Sequence, residues 1–312
     1  KKVDITSNLI WNDDSQNKLW LYNLHYMDDL NSIGSNLRSS QQLEFVRRWI
    51  EENPAVIGNG WEPYPLSLRL VNLIKWFWSS GIDDFEVYQS IAQQADALRQ
   101  QPEYHIQANH LFANAKALVF CGSFLNNKLG HDCLELGLSI LNKEIPVQFL
   151  DDGAHYELSP MYHSVMLWDM LELYELSILV EKLNIYSENW LLTCMKGLDW
   201  LESMCHPDEQ ICFFNDAAFC IAADPVLIKE YAFKLGIVGN NLKDFTVHNV
   251  ESGYTKVYDN GASLFFNHAE ISPNFQPGHA HADSLSFELS LGEKRVLVNS
   301  GTSTLWTVKS FR

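Results

Sequence analysis

Residues 278–291 read Gly278-His279-Ala280-His281-Ala282-Asp283-Ser284-Leu285-Ser286-Phe287-Glu288-Leu289-Ser290-Leu291. From Leu285 onward the apolar residues Leu285, Phe287, Leu289 and Leu291 alternate with Ser284, Ser286, Glu288 and Ser290, a period of two that belongs to a strand with one apolar face. Val296 and Val298 resume the alternation after a turn at 292–294, so the stretch reads as a strand pair. Upstream, 254–258 and 263–266 are strand candidates on either side of Asn260-Gly261, a pair suited to a two-residue hairpin turn. The end of the chain is therefore expected to be antiparallel sheet.

Working back toward the N-terminus, the period lengthens. Between about 40 and 205 the apolar spacing is helical in one segment after another. Leu43, Val46, Trp49 and Ile50 form one stripe, and Leu70, Val71, Ile74, Phe77 and Trp78 the next. Tyr88, Ile91, Ala92 and Ala95 continue it, then Leu111, Ala115, Leu118 and Val119, and Leu134, Leu138, Leu141 and Ile145. Leu167, Met170, Leu171, Tyr174 and Ile178 mark a further helix, and Trp190, Cys194, Leu198, Leu201 and Cys205 another. Short turn-rich joints separate them, such as Asn59-Gly60 and Asp151-Asp152-Gly153, as antiparallel helical hairpins require. A helical block followed by an antiparallel block is two modules rather than an alternating βα fold. We place them at 1–245 and 246–312. The strands before Arg312 are too few for a free-standing sandwich, so the second module is expected to be truncated.

Composition narrows the partners. A formal charge of −17, from 39 acidic and 22 basic residues, leaves no basic stripe for nucleic acid or an anionic membrane surface. No apolar run approaches the roughly 18–20 residues that span a bilayer, and the 1–14 segment lacks the apolar core of a signal peptide, so no membrane insertion is expected. Aromatic residues make up 12% of the chain, with ten Trp, which suits both a core and a sugar-stacking cleft. The six cysteines contain no CxxC pair and lie mostly within apolar helical patterns, so buried free thiols are expected.

Several polar clusters could carry chemistry. In an extended segment His279, His281 and Asp283 point to one side, where they could bind a metal, supply a base near neutral pH, or lie idle on the surface. Pro277 and Gly278 tighten the approach to them. Gln107-Ala108-Asn109-His110 precedes a helix: Asn109 is a natural N-cap, and an amide beside an imidazole is also a clamp for a carboxylate. The run Asp152 through Tyr156, Glu157, Tyr162 and His163 crowds polar and aromatic groups at another helix entrance, which favours function over packing. Trp61-Glu62-Pro63-Tyr64-Pro65 either braces the fold or forms a sugar platform. Asn215, within Phe214-Asn215-Asp216, is an Asx turn or a cleft wall.

Taken in order, five stretches resemble the heparinase II/III family: 19–26 (LWLYNLHY), 61–69 (WEPYPLSLR), 109–115 (NHLFANA), the 152–163 run, and 278–286 (GHAHADSLS). The resemblance implies an incomplete (α/α) toroid followed by the start of an antiparallel β-sandwich. It also implies a polysaccharide lyase that cleaves an acidic, uronic-acid-containing polymer by β-elimination. In that chemistry Asn109, helped by His110, neutralises the uronate carboxylate. Tyr162 protonates the leaving oxygen and, in syn geometry, also takes the C5 proton. His279 is the base, or supports neutralisation when Tyr162 does both. Trp61, Tyr156, His163 and Asn215 are the expected substrate-binding residues, with Tyr156 a second candidate for the tyrosine. Some relatives hold a structural metal through the second His of HxH, a later Asp and a distal His. His281 fits the first place, Asn299 stands at the second, and a distal His would fall past Arg312. Because Asn is a poor zinc ligand, zinc is not expected and no cofactor is required. A lyase of this kind in a Gram-negative bacterium is expected in the periplasm.

Three rivals make different demands. A toroid glycoside hydrolase would need two carboxylates across a cleft, for which Asp152, Glu157 and Asp216 are candidates. A non-catalytic glycan-binding protein of the same fold would hold polymer without turning it over. A barrel-type metal hydrolase built on HxH would need the βα alternation that the long helical block lacks.

Overall fold

The computed structural model describes residues 7–271, 273 and 278–302. Pro277, expected to tighten the approach to His279, lies outside them. Within the described residues the chain divides into two compact units that part between Asn142 and Lys143. The division runs through helix α6 (Lys128–Gln148), which contains Pro146. Proline has no N–H, so it cannot bond the carbonyl four residues back, which belongs to Asn142.

The first unit is helical: α1 (Lys18–Tyr26), α2 (Ser39–Glu52), α3 (Pro63–Ser80), α4 (Phe85–Gln100), α5 (Ala108–Phe124) and the first part of α6. Each of the stripes at 43–50, 70–78, 88–95, 111–119 and 134–145 falls in one of these helices; α1 was not foreseen. Starts and stops follow local chemistry. Asn17 accepts from the Leu19 N–H, Asp84 from those of Glu86 and Val87, and Pro63 opens α3, which stops on Gly81 in the left-handed region. Helix α5 is buried nearly all round. It packs so closely against α6 that a Cβ on Gly122 would lie 2.5 Å from that of Leu134.

The motif at 61–69 is used for bracing. Arg69 is fully buried, its guanidinium stacked 3.9 Å from the Trp49 ring centroid. It donates to the carbonyls of Gly60 (2.6 Å) and His25 (3.3 Å) and to the Gln94 amide oxygen (2.8 Å). His25 donates in turn to the Trp11 carbonyl and accepts from the Trp49 indole N–H, both at 3.0 Å. Burial, then the Arg69 charge, push the His25 imidazole down to about 4, so it is neutral in use. The family-like stretches 19–26 and 61–69 are thus two halves of one buried network.

The second unit holds the end of α6, α7 (Pro160–Leu179), α8 (Ser187–Ser203), α9 (Pro225–Lys234) and a five-stranded antiparallel sheet in chain order. Its strands are β1 (Val247–Asn249), β2 (Tyr254–Asp259), β3 (Ala262–Asn267), β4 (Phe287–Leu291) and β5 (Lys294–Leu297). Asn260 and Gly261 both have positive φ, as a type I′ hairpin needs. Val298 falls past β5, and β1 and α9 carried too short a pattern to be read.

The alternation gives the strand β4, and it is the polar face that turns inward. Glu288 and Ser290 are fully buried, whereas Leu285, Phe287 and Leu291 are 69%, 45% and 54% exposed. Tyr254, Lys256, Ser263 and Phe265 share the buried face through the β2–β3–β4 register. Tyr254 and Phe265 join Ala154, Leu158, Trp200, Met204, Cys212 and Phe214 in one apolar core. Glu288, Ser290 and Lys256 on that face are paired, Lys256 with the Leu242 carbonyl, while the Ser263 hydroxyl has no hydrogen-bond partner among the described residues. His206 donates to Glu288 (2.6 Å) and accepts from Ser290 (2.7 Å), while the Phe213 N–H donates to the other Glu288 oxygen (2.7 Å).

Five cysteines are buried free thiols as expected, but Cys220 is exposed. No described helix is long and apolar enough to cross a membrane.

Replacing Arg69 by Met keeps most of its stem volume but leaves two carbonyls and an amide oxygen unbonded in the interior. We expect a loss of about 3 kcal/mol or more of unfolding free energy, read as a lower urea midpoint. An unchanged midpoint would show that the network contributes nothing net.

Candidate active site

In the first unit, α5 begins at Ala108, which like the preceding Gln107 is at positive φ. The cap position is Gln107, so Asn109 is the second helical residue and not the N-cap. Asn109 is buried, and among the described residues no partner engages its carboxamide. His110 donates through Nδ1 to Glu103 (3.1 Å) and stacks on Tyr64 with centroids 4.3 Å apart. Glu103 is fixed in turn: its N–H donates to Asn114 Oδ1, and its second carboxylate oxygen accepts from Asn114 Nδ2, which also donates to Ser67 Oγ. Glu103 was not singled out from sequence. Its pairing with His110 depends on a turn that carries no motif.

Trp61 is buried, its indole N–H on the Asn53 carbonyl (3.2 Å) and its ring 6.0 Å from that of Trp49. Of its two readings, brace or sugar platform, the geometry is that of a brace.

In the second unit, Ser159 caps α7 and Pro160 opens it, which places Tyr162 in the first turn. The Tyr162 ring lies against the His279 imidazole, centroids 3.9 Å apart and planes inclined at 38°. His279 donates through Nδ1 to Asp216 Oδ2 at 3.0 Å, and its Nε2 is 3.8 Å from Glu157 Oε1. The His281 Nε2 lies 3.8 Å from the other Asp216 oxygen. Burial works against the Asp216 carboxylate, but hydrogen bonds from His279 and Thr302 and the nearby imidazoles hold it below the usual carboxylate range.

A second layer fixes these groups. Asn215, at positive φ, donates to the Leu158 carbonyl and the Tyr254 hydroxyl and accepts from the His281 N–H. Its own N–H donates to Asp283 Oδ2 (2.8 Å). His163 is fully buried; it accepts from the His155 N–H and donates to the Gly197 carbonyl (2.9 Å). Tyr156 is buried against the His155 ring. The structure therefore brings His279 and His281 to Asp216 and Tyr162 onto His279, with Asn215 fixing the His281 backbone, while His163 and Tyr156 are buried on His155. Asp152, one of the acids weighed for hydrolysis, is spent on the Ala154 and Ser252 N–H groups.

Residues 6–232 match the family described as Heparinase II/III N-terminus, and residues 246–312 match Heparinase II/III-like, C-terminal. The chain belongs to the heparinase II/III family. A heparin-sulfate lyase of Pedobacter heparinus is 28% identical over 183 residues, 54% of this chain and 27% of that protein. One from Bacteroides thetaiotaomicron is 30% identical over 149 residues, 43% of this chain and 21% of that protein. Among solved structures, Heparinase III matches with a TM-score of 0.76 at 18% identity, over 99% of this chain and 55% of that one. Heparan sulfate lyase HepC from Pedobacter heparinus matches at 0.63 and 21%, over 94% and 51%. The chain thus spans about half the length of these solved relatives. The expected fold class, an incomplete (α/α) toroid followed by the start of an antiparallel β-sandwich, is borne out.

The metal position that some heparinase II/III relatives use does not fit the donors here. The Asn299 amide donates to Asp283 and Ser286, and its oxygen accepts from the Gly301 N–H. A carboxamide brings zinc no charge, and this one is held by its own hydrogen bonds with its oxygen shared with the Gly301 N–H. Elsewhere His206, Cys212 and Glu288 bring three donor atoms within 4.8 Å of one another. Here Arg295 Nη1 stands 3.8 Å from Glu288 Oε2, which puts a cation where the ion's own charge would sit. That cluster is a satisfied polar network.

The buried imidazole of His163 gives a pH signature. Burial lowers it to about 4, against a donated bond to Gly197 that works the other way. Between its unfolded value near 6.5 and about 4, the unfolded chain binds the extra proton, so stability rises with pH across that window and is lost on acidification. We expect the urea midpoint to fall from pH 6.5 to 4, less steeply in His163→Gln; equal slopes in the two proteins would contradict the assignment.

Proposed function

We propose that the protein is a polysaccharide lyase acting by β-elimination on a uronic-acid-containing glycan, of the glycosaminoglycan or bacterial surface type. The observation that carries this reading is the Tyr162–His279 pair, ring against ring at 3.9 Å with Asp216 behind the imidazole. A phenol and an imidazole in contact are the acid and base that elimination needs. Hydrolysis would instead need two carboxylates facing the sugar. Glu157 and Asp216 sit on the two sides of one imidazole, with Glu157 fully buried.

The chemistry assigns roles to the remaining groups. The C5 proton of a uronate is hardly acidic while the carboxylate keeps its charge. Asn109, a buried carboxamide at a helix start, is suited to hydrogen-bond that carboxylate as charge builds on it, an oxyanion-hole task. His110, with Nδ1 held by Glu103, supports it. The base takes the C5 proton, the electron pair forms the C4–C5 double bond, the C4–O bond breaks, and Tyr162 protonates the departing oxygen. The names of the curated relatives, heparin-sulfate lyases, support an acidic glycan as substrate. With a net charge of −17 the chain does not attract such a polymer as a whole, so recognition falls to these local donors.

Incubation with a panel of uronic-acid polymers, followed by ultraviolet absorbance of the conjugated double bond, tests the reading. We expect product from the wild type, a fall of about 100-fold or more in Tyr162→Phe and His279→Ala, and a kcat loss of about 10²–10³ in Asn109→Ala. Polymer binding without any unsaturated product would overturn it in favour of a non-catalytic glycan binder; saturated ends would favour hydrolysis.

A further inference from the structure

The proposed reaction leaves two tasks open to His279, taking the C5 proton or donating to the substrate carboxylate, and they require opposite ring nitrogens to be bare. We infer that Asp216 is a positioning residue that holds His279 as the Nδ1–H tautomer and so commits its Nε2 lone pair to proton abstraction. This inference rests on the lyase reading for its consequence, but not for its geometry.

Three contacts keep Asp216 from following the ring. Its N–H donates to the His279 carbonyl (3.0 Å), its carbonyl accepts from Ser159 Oγ (3.0 Å), and the next residue, Ala217, accepts from the Thr302 N–H (3.1 Å). The carboxylate is thus anchored by backbone on both sides, and the 3.0 Å bond to Nδ1 is made to a fixed acceptor. An ionised carboxylate can only accept, so the proton of that bond belongs to Nδ1. Ser159 also receives the Tyr162 N–H at 3.5 Å. One hydroxyl therefore references both the helix that carries the acid and the loop that orients the base.

The groups facing the imidazole agree with this assignment. Glu157 Oε1 lies 3.8 Å from Nε2, too far for a hydrogen bond that would hold a proton there in the resting state. His155 stands behind Glu157, with its Nδ1 3.6 Å from the second carboxylate oxygen. His281 approaches Asp216 and not the ring of His279. Tyr162 covers one face. When Nε2 takes the C5 proton, the cation formed is flanked by Asp216 and Glu157, while the phenol that gives its proton to the leaving oxygen is later restored from solvent.

The test is long-range proton–nitrogen NMR on histidine-labelled protein, with the His279 ring identified by its loss in His279→Gln. In the neutral ring we expect a protonated Nδ1 and a bare Nε2. In Asp216→Asn, whose amide can donate to Nδ1, we expect the bare nitrogen to move to Nδ1, with kcat reduced about 100-fold or more and KM within about threefold. Asp216→Glu should retain the Nδ1–H tautomer and recover part of kcat. A wild-type ring protonated at Nε2, or an Asp216→Asn ring with an unchanged tautomer, overturns the inference. The wild-type spectrum alone decides it should a variant fail to fold. The expected tautomer in a wild type that makes no unsaturated product would sink the lyase reading and leave the positioning role standing. A normal lyase with the wrong tautomer would do the reverse.

Discussion

The second unit depends on a polar clamp between two loops, 213–217 and 279–283. Asn215 and Asp283 bond each other's loop reciprocally, the Asn215 N–H to the Asp283 carboxylate and the His281 N–H to the Asn215 side chain. Asp216 and His279 repeat the exchange one step further along, once through backbone and once through side chains. Every one of these bonds joins residues more than sixty positions apart, so each is present only if the sheet and the preceding helices are already packed. Two loops that carry many buried polar groups would otherwise be costly to bury. Here the cost is offset because the donors and acceptors match almost one for one. The positive φ of Asn215 belongs to the same arrangement: it turns the backbone so that N–H and side chain serve opposite sides of the clamp.

The sheet beneath is shaped by the same requirement. A strand reading Phe-Glu-Leu-Ser-Leu would ordinarily turn its apolar face inward. In β4 the burial of Glu288 and Ser290 is stabilised by His206, by two backbone N–H groups and by Arg295 at the rim. Removing any single member would strand a charge or a donor in the interior.

Much of the helical block was legible because burial of one stripe on a 3.6 period is a local property of sequence. The stripes at 70–78 and 111–119 needed no partner to be recognised. What could not be read was the use to which a polar residue is put. Trp61 and Tyr156 looked like cleft aromatics, yet their rings are buried; His163 looked like a ligand group, yet both its nitrogens are engaged by backbone. Asp216 and Glu157 were visible only as acids for hydrolysis, because nothing in their spacing says that an imidazole from much later in the chain comes between them. Which face of β4 turns inward was illegible for the same reason: alternation gives the period, and only distant partners give the sign.

This division of labour explains why the five family-like stretches divide unevenly between scaffold and chemistry. The 19–26 and 61–69 stretches are spent on the Arg69 network, where a buried cation must find three oxygens and an aromatic face. The 109–115 stretch contributes the Asn109 amide and the His110 imidazole at its first two positions, and positions 111–115 are core. The 152–163 and 278–286 stretches bring Tyr162 onto His279, as Tyr64 of the 61–69 stretch lies on His110 of the 109–115 stretch. A substitution at Arg69 or His25 therefore acts through stability, and one at Tyr162 or His279 can act on chemistry at constant stability. A motif shared across a family can record either kind of constraint, and geometry is what separates them.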